Sequence, residues 1–381
     1  MTATLKDRTA VVGIGQTEFS KNSGRSELRL ASEAVRAALD DAGLAPAEVD
    51  GLVTFTLDSN DELLLMRSVG MQEVRWTSRT PFGGGGASAT IEHAAAAVAS
   101  GAADVVVVYR AFNERSGRRF GQPSGAASHE VSWYLPFGLD TPAKMYSLWF
   151  QRYMHQFGLT NADFGRYSVL ARKHAATNPN AWFYQRPITI DDHQNSRWIV
   201  EPILRLLDCC QESDGGVACV VTSAERARDL RQPVVLINGA TQGNLLHGNV
   251  TFNYYFPDLC RFPEAESAAG QLWKSTGLGP GDIDVAMIYE NFSPVVFYQL
   301  EAYGFCGYGE AKDFIADGNI EIGGRTPVNT NGGLLGEAYI HGVNNILEGV
   351  RQLRATAVNQ VPDARHVLCS AGRSAVVLGR P

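Results

Sequence analysis

The stretch Gly336-Glu337-Ala338-Tyr339-Ile340-His341-Gly342 directly follows the loop Asn329-Thr330-Asn331-Gly332-Gly333-Leu334-Leu335. A glycine-rich turn that opens a helix is a place to hold a reactive group, and the exposed candidates here are Tyr339 and, two residues on, His341. A phenol keeps its proton to about pH 10, so a tyrosine where an imidazole is more usual needs a reason. It can donate or accept a hydrogen bond while presenting a large flat apolar body. To serve as a base near neutrality, it must have its pKa depressed or pass the proton to a neighbour. Glu337 and His341 are close enough in sequence to be that neighbour, although nothing in the sequence says which way they face. The six cysteines, Cys209, Cys210, Cys219, Cys260, Cys306 and Cys369, form no C-x-x-C pair. That argues against a zinc site and, with no export signal, for reduced thiols.

These residues must be carried by a well-packed chain. Of 381 residues, 45% are hydrophobic and 19% charged, with 39 glycines and a net charge of −7. The length suits two or three domains, or one large α/β unit. Nothing resembles the clustered basic face that nucleic acid requires. No run of 18 apolar residues is present to span a membrane, and residues 1–9 lack the apolar core of a signal peptide. The expected location is the cytoplasm, with neither nucleic acid nor membrane as a partner.

The first half reads as strand 9–14, helix 26–42 ending at Gly43, strand 49–55, a glycine-rich loop PFGGGG (81–86), a small-residue helix 87–99 and a continuous apolar strand 103–109. Uninterrupted β-branched runs of that kind suit strands buried on both faces. The second half repeats the order. AGLAPAEVDGLVTF (42–55) matches TGLGPGDIDVAMIY (276–289), each half has a glycine-rich loop opening a helix, and each closes on an apolar strand, 366–371 in the second. A duplicated α/β half follows, dividing the chain at 1–232 and 233–381. Between the halves, about 113–202 reads as an insertion with helices at 142–157 and 163–176, of a length that usually carries substrate or subunit contacts. Tyr146, Trp149, Phe150, Tyr153 and Phe157 share one helical face, for core packing or for a hydrophobic substrate wall. Asn253-Tyr254-Tyr255-Phe256 is a candidate channel border. His193 reads as structural, and Cys209-Cys210 carry no assigned chemistry.

The repeated βαβαβ halves, the insertion, the glycine-rich helix openings and the NxxGG…G…HG segment together resemble the thiolase superfamily. The strings AGLAPAEVDG, ADVVVVYRAFNERSG, RKHAATNP, LRLLDCCQESDGGVACVVTSAERARDL and NTNGGLLGEAYIHG are similar to its lipid-transfer branch. KNSGRSELRLA, GEAKDFIADG and GEAYIHG resemble the steroid side-chain-cleaving aldolases within it. The resemblance implies a five-layer αβαβα sandwich. Against the thiolase pattern, the nucleophilic cysteine falls on Gly84, the Gly-His-Pro histidine on Tyr339, and the leading residue of the Asn-Glu-Ala-Phe motif on Tyr289. Only the last cysteine is matched, by Cys369, which without its sulfur partner reads as a vestige or a packing residue. In the family Asp214-Gly215-Gly216 is a structural turn.

Without a sulfur at 84 no acyl-enzyme can form by that route, whereas retro-aldol cleavage of a β-hydroxyacyl-CoA moves no acyl group. It needs a base for the hydroxyl, donors for the enolate oxygen and an acid for the α-carbon. The resemblance implies a 17-hydroxy steroid with a three-carbon CoA thioester side chain, giving a 17-keto steroid and propionyl-CoA. Tyr289 and Tyr339 are the expected acid/base pair, in an order the sequence leaves open, with Glu337, His341, Gly84 and Cys369 as possible support. Amides of the glycine loop 83–86 can hold an oxyanion, or those glycines serve close packing alone. No cofactor is expected beyond the CoA of the substrate. The resemblance further implies a homodimer along the edge of the first-half sheet and a small OB-fold, hydratase-derived partner, giving α2β2. A non-catalytic sterol or acyl-CoA carrier and a degenerate thiolase are the competing readings. No P-loop-like motif marks the residues that meet the CoA phosphates.

Overall fold

A computed structural model of the chain describes residues 5–81, 83–122, 131–246 and 254–381. Phe82 of the PFGGGG loop, part of the insertion (123–130) and Asn253 of the candidate channel border lie outside the described residues.

The strands are β1 (Thr9–Gln16), β2 (Gly51–Phe55), β3 (Trp76–Thr80), β4 (Val105–Asn113), β5 (Trp198–Val200), β6 (Leu204–Arg205), β7 (Asp214–Ser223), β8 (Val235–Gln242), β9 (Val285–Ile288), β10 (His366–Ser370) and β11 (Ser374–Gly379). β5 and β6 form a small separate ribbon, and the other nine make one mixed sheet in the order β3-β2-β4-β7-β1-β8-β11-β10-β9. The order is a mirror image about its centre. β2 runs parallel to β3 and β4, β9 runs parallel to β10, and every other pairing is antiparallel. The halves join through β1 and β8 at only two residue pairs, Ala10↔Leu236 and Val11↔Val235. At the far side of β9, the place that β3 takes in the first half holds an isolated parallel bridge, Ala286↔Val328.

Two helices fill the space between the half-sheets, Ala87–Ser100 and Val343–Arg354, and share one apolar core with inward residues of both halves. The first is built from alanines because a layer with a sheet on each side has no room for larger side chains. Its Ser88 hydroxyl donates to the Cys369 carbonyl at 2.8 Å, tying the first half to the second. Helix Glu27–Ala42 covers the outer face of the first half-sheet. It is capped by Ser26, which accepts from the Arg29 amide, and stopped by Gly43 at φ +74°, the left-handed position that suits glycine. It lies so close to β1 that a Cβ on Gly13 would stand 2.1 Å from the Ala38 carbonyl oxygen. Helices Pro263–Thr276 and Pro294–Ala302 cover the second half-sheet. The expected five layers are present.

The structure differs from the sequence reading in four places. Asp214-Gly215-Gly216 opens strand β7 rather than making a turn; a Cβ on Gly216 would meet the Leu30 carbonyl oxygen at 2.5 Å, so this glycine serves close helix packing. β4 runs on past Tyr109 through Arg110 to Asn113. The helix read as 163–176 spans Asn161–Thr177. The insertion interrupts the first half in sequence, yet its helices Pro142–Phe157 and Asn161–Thr177 pack into the outer core of the second half.

Candidate active site

The carboxyl end of β9 and the loop after it set one wall of the site. Tyr289 donates its amide to the Ser370 carbonyl at 2.8 Å and accepts from Gln299 Nε2 at 2.6 Å. Gln299 Oε1 in turn accepts from Ser370 Oγ (2.7 Å) and the Gly372 amide (2.9 Å), so one side chain clamps both strand ends. The facing wall is the segment 336–342. Gln211 Nε2 donates to the carbonyls of Gly336 and Glu337, both at 3.0 Å, and Tyr339 donates its amide to Ser213 Oγ at 3.3 Å.

The two tyrosines meet. Their hydroxyl oxygens are 2.9 Å apart, and either can be the donor. Tyr289 is 8% exposed, Tyr339 7% and His341 2%, so neither Tyr339 nor His341 is the exposed group the sequence suggested. Burial pushes both phenols well above 10; at neutral pH the pair holds both its protons. Gly84 belongs to the same constellation, because a Cβ there would stand 1.8 Å from Tyr289 Cε2 and 2.3 Å from its hydroxyl. The space that a side chain at 84 would take is filled by the Tyr289 ring.

A cavity of about 540 Å³ opens beside them, within the range of small-molecule sites. Tyr146, Trp149, Phe150, Phe292, Val295 and Tyr298 line its apolar side. Three of the five aromatics on the insertion helix thus form a substrate-sized wall, while Tyr153 and Phe157 are outside it and pack against each other, centroids 4.7 Å apart. Tyr254 does not line the cavity; its hydroxyl donates to the Met145 carbonyl at 2.6 Å and pins that helix. Tyr255 and Phe256 are likewise outside the lining. The polar side carries Lys21, Glu114, Arg115, Arg119, Arg172, Arg197 and Glu212. Burial lowers Lys21 to about 8, and burial followed by the Glu212 charge raises Glu114 well above the usual carboxyl range.

The remaining sequence candidates separate. His341 lines the cavity with the tyrosines. Glu337 does not; its carboxylate accepts from Asn331 Nδ2 (2.6 Å), Asn344 Nδ2 (2.8 Å) and Asn178 Nδ2 (3.3 Å), and it braces the glycine loop from behind. Burial raises it to about 7. Cys369 is buried on β10, where a Cβ on Gly349 would lie 2.9 Å from its sulfur; it packs under helix 343–354, outside the cavity lining. His193 orders the insertion, its Nε2 lying 2.8 Å from Asp208.

Sequence reasoning passed over Arg110, Asp58 and Glu114, and gave no chemistry to Cys210, which lines the cavity. Arg110 had a signal, a charge at the end of an otherwise apolar buried run; the other three are brought in only by loops that converge in space. Among the described residues no cluster suits a metal ion and no helix is long and apolar enough to cross a membrane.

Mirror-image half-sheets around two central helices, with the reactive loops meeting at the strand ends, define a thiolase-like chain whose nucleophile position is empty and whose cavity presents two phenols. Residues 254–375 match the family profile described as thiolase C-terminal domain-like. The chain is 56% identical to the steroid side-chain-cleaving aldolase of Thermomonospora curvata, over 98% of both chains. It is 57% identical to the 17-hydroxy-3-oxo-4-pregnene-20-carboxyl-CoA lyase of Mycobacterium tuberculosis, over 98% of this chain and 100% of that protein. The solved structure of the Ltp2-ChsH2(DUF35) aldolase superposes with a TM-score of 0.95 at 56% identity, over 99% of each chain. The chain belongs to the steroid side-chain-cleaving aldolase family of thiolase-like proteins.

Proposed function

We infer that the chain is a carbon–carbon lyase that cleaves the side chain of a 17-hydroxy steroid carrying a three-carbon CoA thioester, releasing a 17-keto steroid and propionyl-CoA. The observation that carries this reading is the 2.9 Å contact between the hydroxyls of Tyr289 and Tyr339, in a cavity where Gly84 offers no nucleophile.

The site suits a proton relay. One phenol oxygen takes the proton of the substrate hydroxyl as its own proton passes to the other phenol, which protonates the α-carbon. The Cα–Cβ bond breaks, its electron pair goes to the α-carbon, and the hydroxyl carbon becomes a ketone. Both tyrosines begin and end neutral, so the high pKa that burial imposes is no obstacle. The reaction is redox-neutral and consumes nothing but the thioester. The aromatic wall suits the steroid rings, and the cationic lining residues Lys21, Arg115, Arg119, Arg172 and Arg197 suit the phosphates of CoA. In the cell we place the chain in the cytoplasm, paired with a second copy along the free edge of β3 and with a small OB-fold partner as α2β2.

Mass spectrometry of products from the hydroxylated steroid CoA thioester, with and without the co-expressed small protein, tests the reading. Tight binding without product in both arms would make the chain a carrier. Tyr289→Phe and Tyr339→Phe should each lower kcat by about 10²- to 10⁴-fold with the fold intact. The rate in mixtures of light and heavy water should curve, because more than one proton is in flight.

A further inference from the structure

One buried imidazole in the cavity takes no part in that relay. His341 is 2% exposed and sits at φ +50°, a left-handed conformation uncommon outside glycine. Its ring stacks on Phe112 (centroids 5.0 Å apart) and meets Tyr339 edge-on at 5.1 Å. Its Nδ1 lies 3.0 Å from Arg110 Nε. A guanidinium nitrogen has only protons to give, so Nδ1 accepts and the ring proton resides on Nε2. Arg110 is itself locked. Its Nη1 pairs with Asp58 Oδ2 at 2.7 Å, the two side chains 1% and 0% exposed, and its guanidinium lies 4.2 Å above the Phe112 ring. Asp58 is held by the amide and side-chain amide of Asn60. Burial and the Arg110 charge keep the imidazole neutral, its pKa well below 6.5. Among the described residues no acceptor meets Nε2. That nitrogen lies 3.4 Å from where a Cβ on Gly83 would stand, next to the glycine whose space Tyr289 fills.

A buried ion pair that fixes one tautomer, leaving one unpaired N–H beside the reacting phenols, is a donor waiting for an oxygen. We propose that His341 Nε2–H holds the carbonyl oxygen of the substrate thioester and stabilises it as it becomes an enolate oxygen, with Arg110 and Asp58 as positioning residues. This rests on the retro-aldol reading. As the Cα–Cβ bond breaks, the electron pair on the α-carbon spreads onto the thioester oxygen and the N–H···O bond strengthens. The proton stays on nitrogen, and the pair returns to the α-carbon when a phenol protonates it.

The probe is the steroid propionyl-CoA thioester lacking the 17-hydroxyl, labelled with ¹³C at the thioester carbonyl, which binds but cannot be cleaved. Isotope-edited infrared spectra of the wild-type complex should show the carbonyl stretch at lower frequency than in water. His341→Phe should abolish that shift, keep affinity within about tenfold, and lower kcat on the hydroxylated substrate by about 10²- to 10³-fold; His341→Gln, which restores an N–H, should recover part of both. A shift that survives in His341→Phe overturns the proposal. For the wild-type protein, ¹⁵N spectra of labelled histidine should show His341 protonated at Nε2, with the N–H resonance moving downfield on adding the analogue. In Arg110→Met the tautomers should mix, whereas an unchanged tautomer removes the positioning role. If the wild type cleaves no steroid thioester at all, the reaction reading fails; cleavage with an unshifted carbonyl sinks only the role of His341.

Discussion

Positions 84 and 289 are a single steric choice: a side chain on one, or the phenol of the other. From the sequence, Gly84 meant only that no sulfur is present; the structure shows the space of a side chain there taken by the Tyr289 ring. Restoring a side chain would therefore not restore acyl transfer. Gly84→Ala must displace the Tyr289 ring, at about 1–3 kcal/mol for an overpacked core. The same change in a Tyr289→Ala background should cost far less. Denaturant unfolding of the four proteins should give a coupling of about 0.5–3 kcal/mol, and additive effects would show that the ring does not fill that space. Arg110 teaches the complementary point. Its charge in a buried run was visible in the sequence, but its partners, Asp58 and His341, lie 52 and 231 residues away along the chain.

The loops that carry the phenols are held by buried carboxyls. Glu290 Oε1 accepts from the Leu334 amide at 2.7 Å and from the Tyr167 hydroxyl at 2.9 Å, joining the end of β9 to the short helical turn Gly333–Gly336. Burial raises Glu290 from 4.5 to about 8. Between those values the folded state holds a proton that the unfolded chain has lost, so stability present below pH 4.5 falls away as pH rises towards 8. Thermal unfolding from pH 5 to 8 should therefore show a shallower decline in Glu290→Gln than in the wild type, and parallel curves would contradict the shift. The insertion helix 142–157 supplies the aromatic wall. Its 3.6-residue period was legible, but which of its aromatics face the cavity depends on the neighbours it packs against. Leu206, 43% exposed, also lines that cavity. Leu206→Trp should change stability by no more than about 0.5 kcal/mol while raising KM for the steroid substrate about tenfold, or ~1.4 kcal/mol.

At the scale of the molecule, one sheet runs through both halves and ends at β3, where strand 76–80 pairs with β2 alone. An edge with unpaired amides is a template for another strand, and a second copy across a two-fold axis would continue the sheet. Thr77 is exposed there in the single chain. Thr77→Lys would bring two like charges together at that axis, so sedimentation should find the wild type dimeric and the variant shifted towards monomer. An unchanged dimer would place the interface elsewhere. The same scale explains the insertion, which leaves the chain after β4 yet builds the core over the other half-sheet and, with it, a cavity walled by both halves.

The sequence by itself determined the duplicated architecture, the empty nucleophile position and the two tyrosines, because strand and helix periods and glycine-rich turns are local properties that survive in one dimension. Only the tertiary structure decided that the phenols touch, that Tyr289 fills the place above Gly84, that Glu337 and Cys369 lie outside the cavity, and that Arg110 sets the tautomer of His341. Those facts depend on side-chain directions at the meeting of separate strand ends, where a shift of an ångström makes or removes a contact and no local pattern records which way a residue faces.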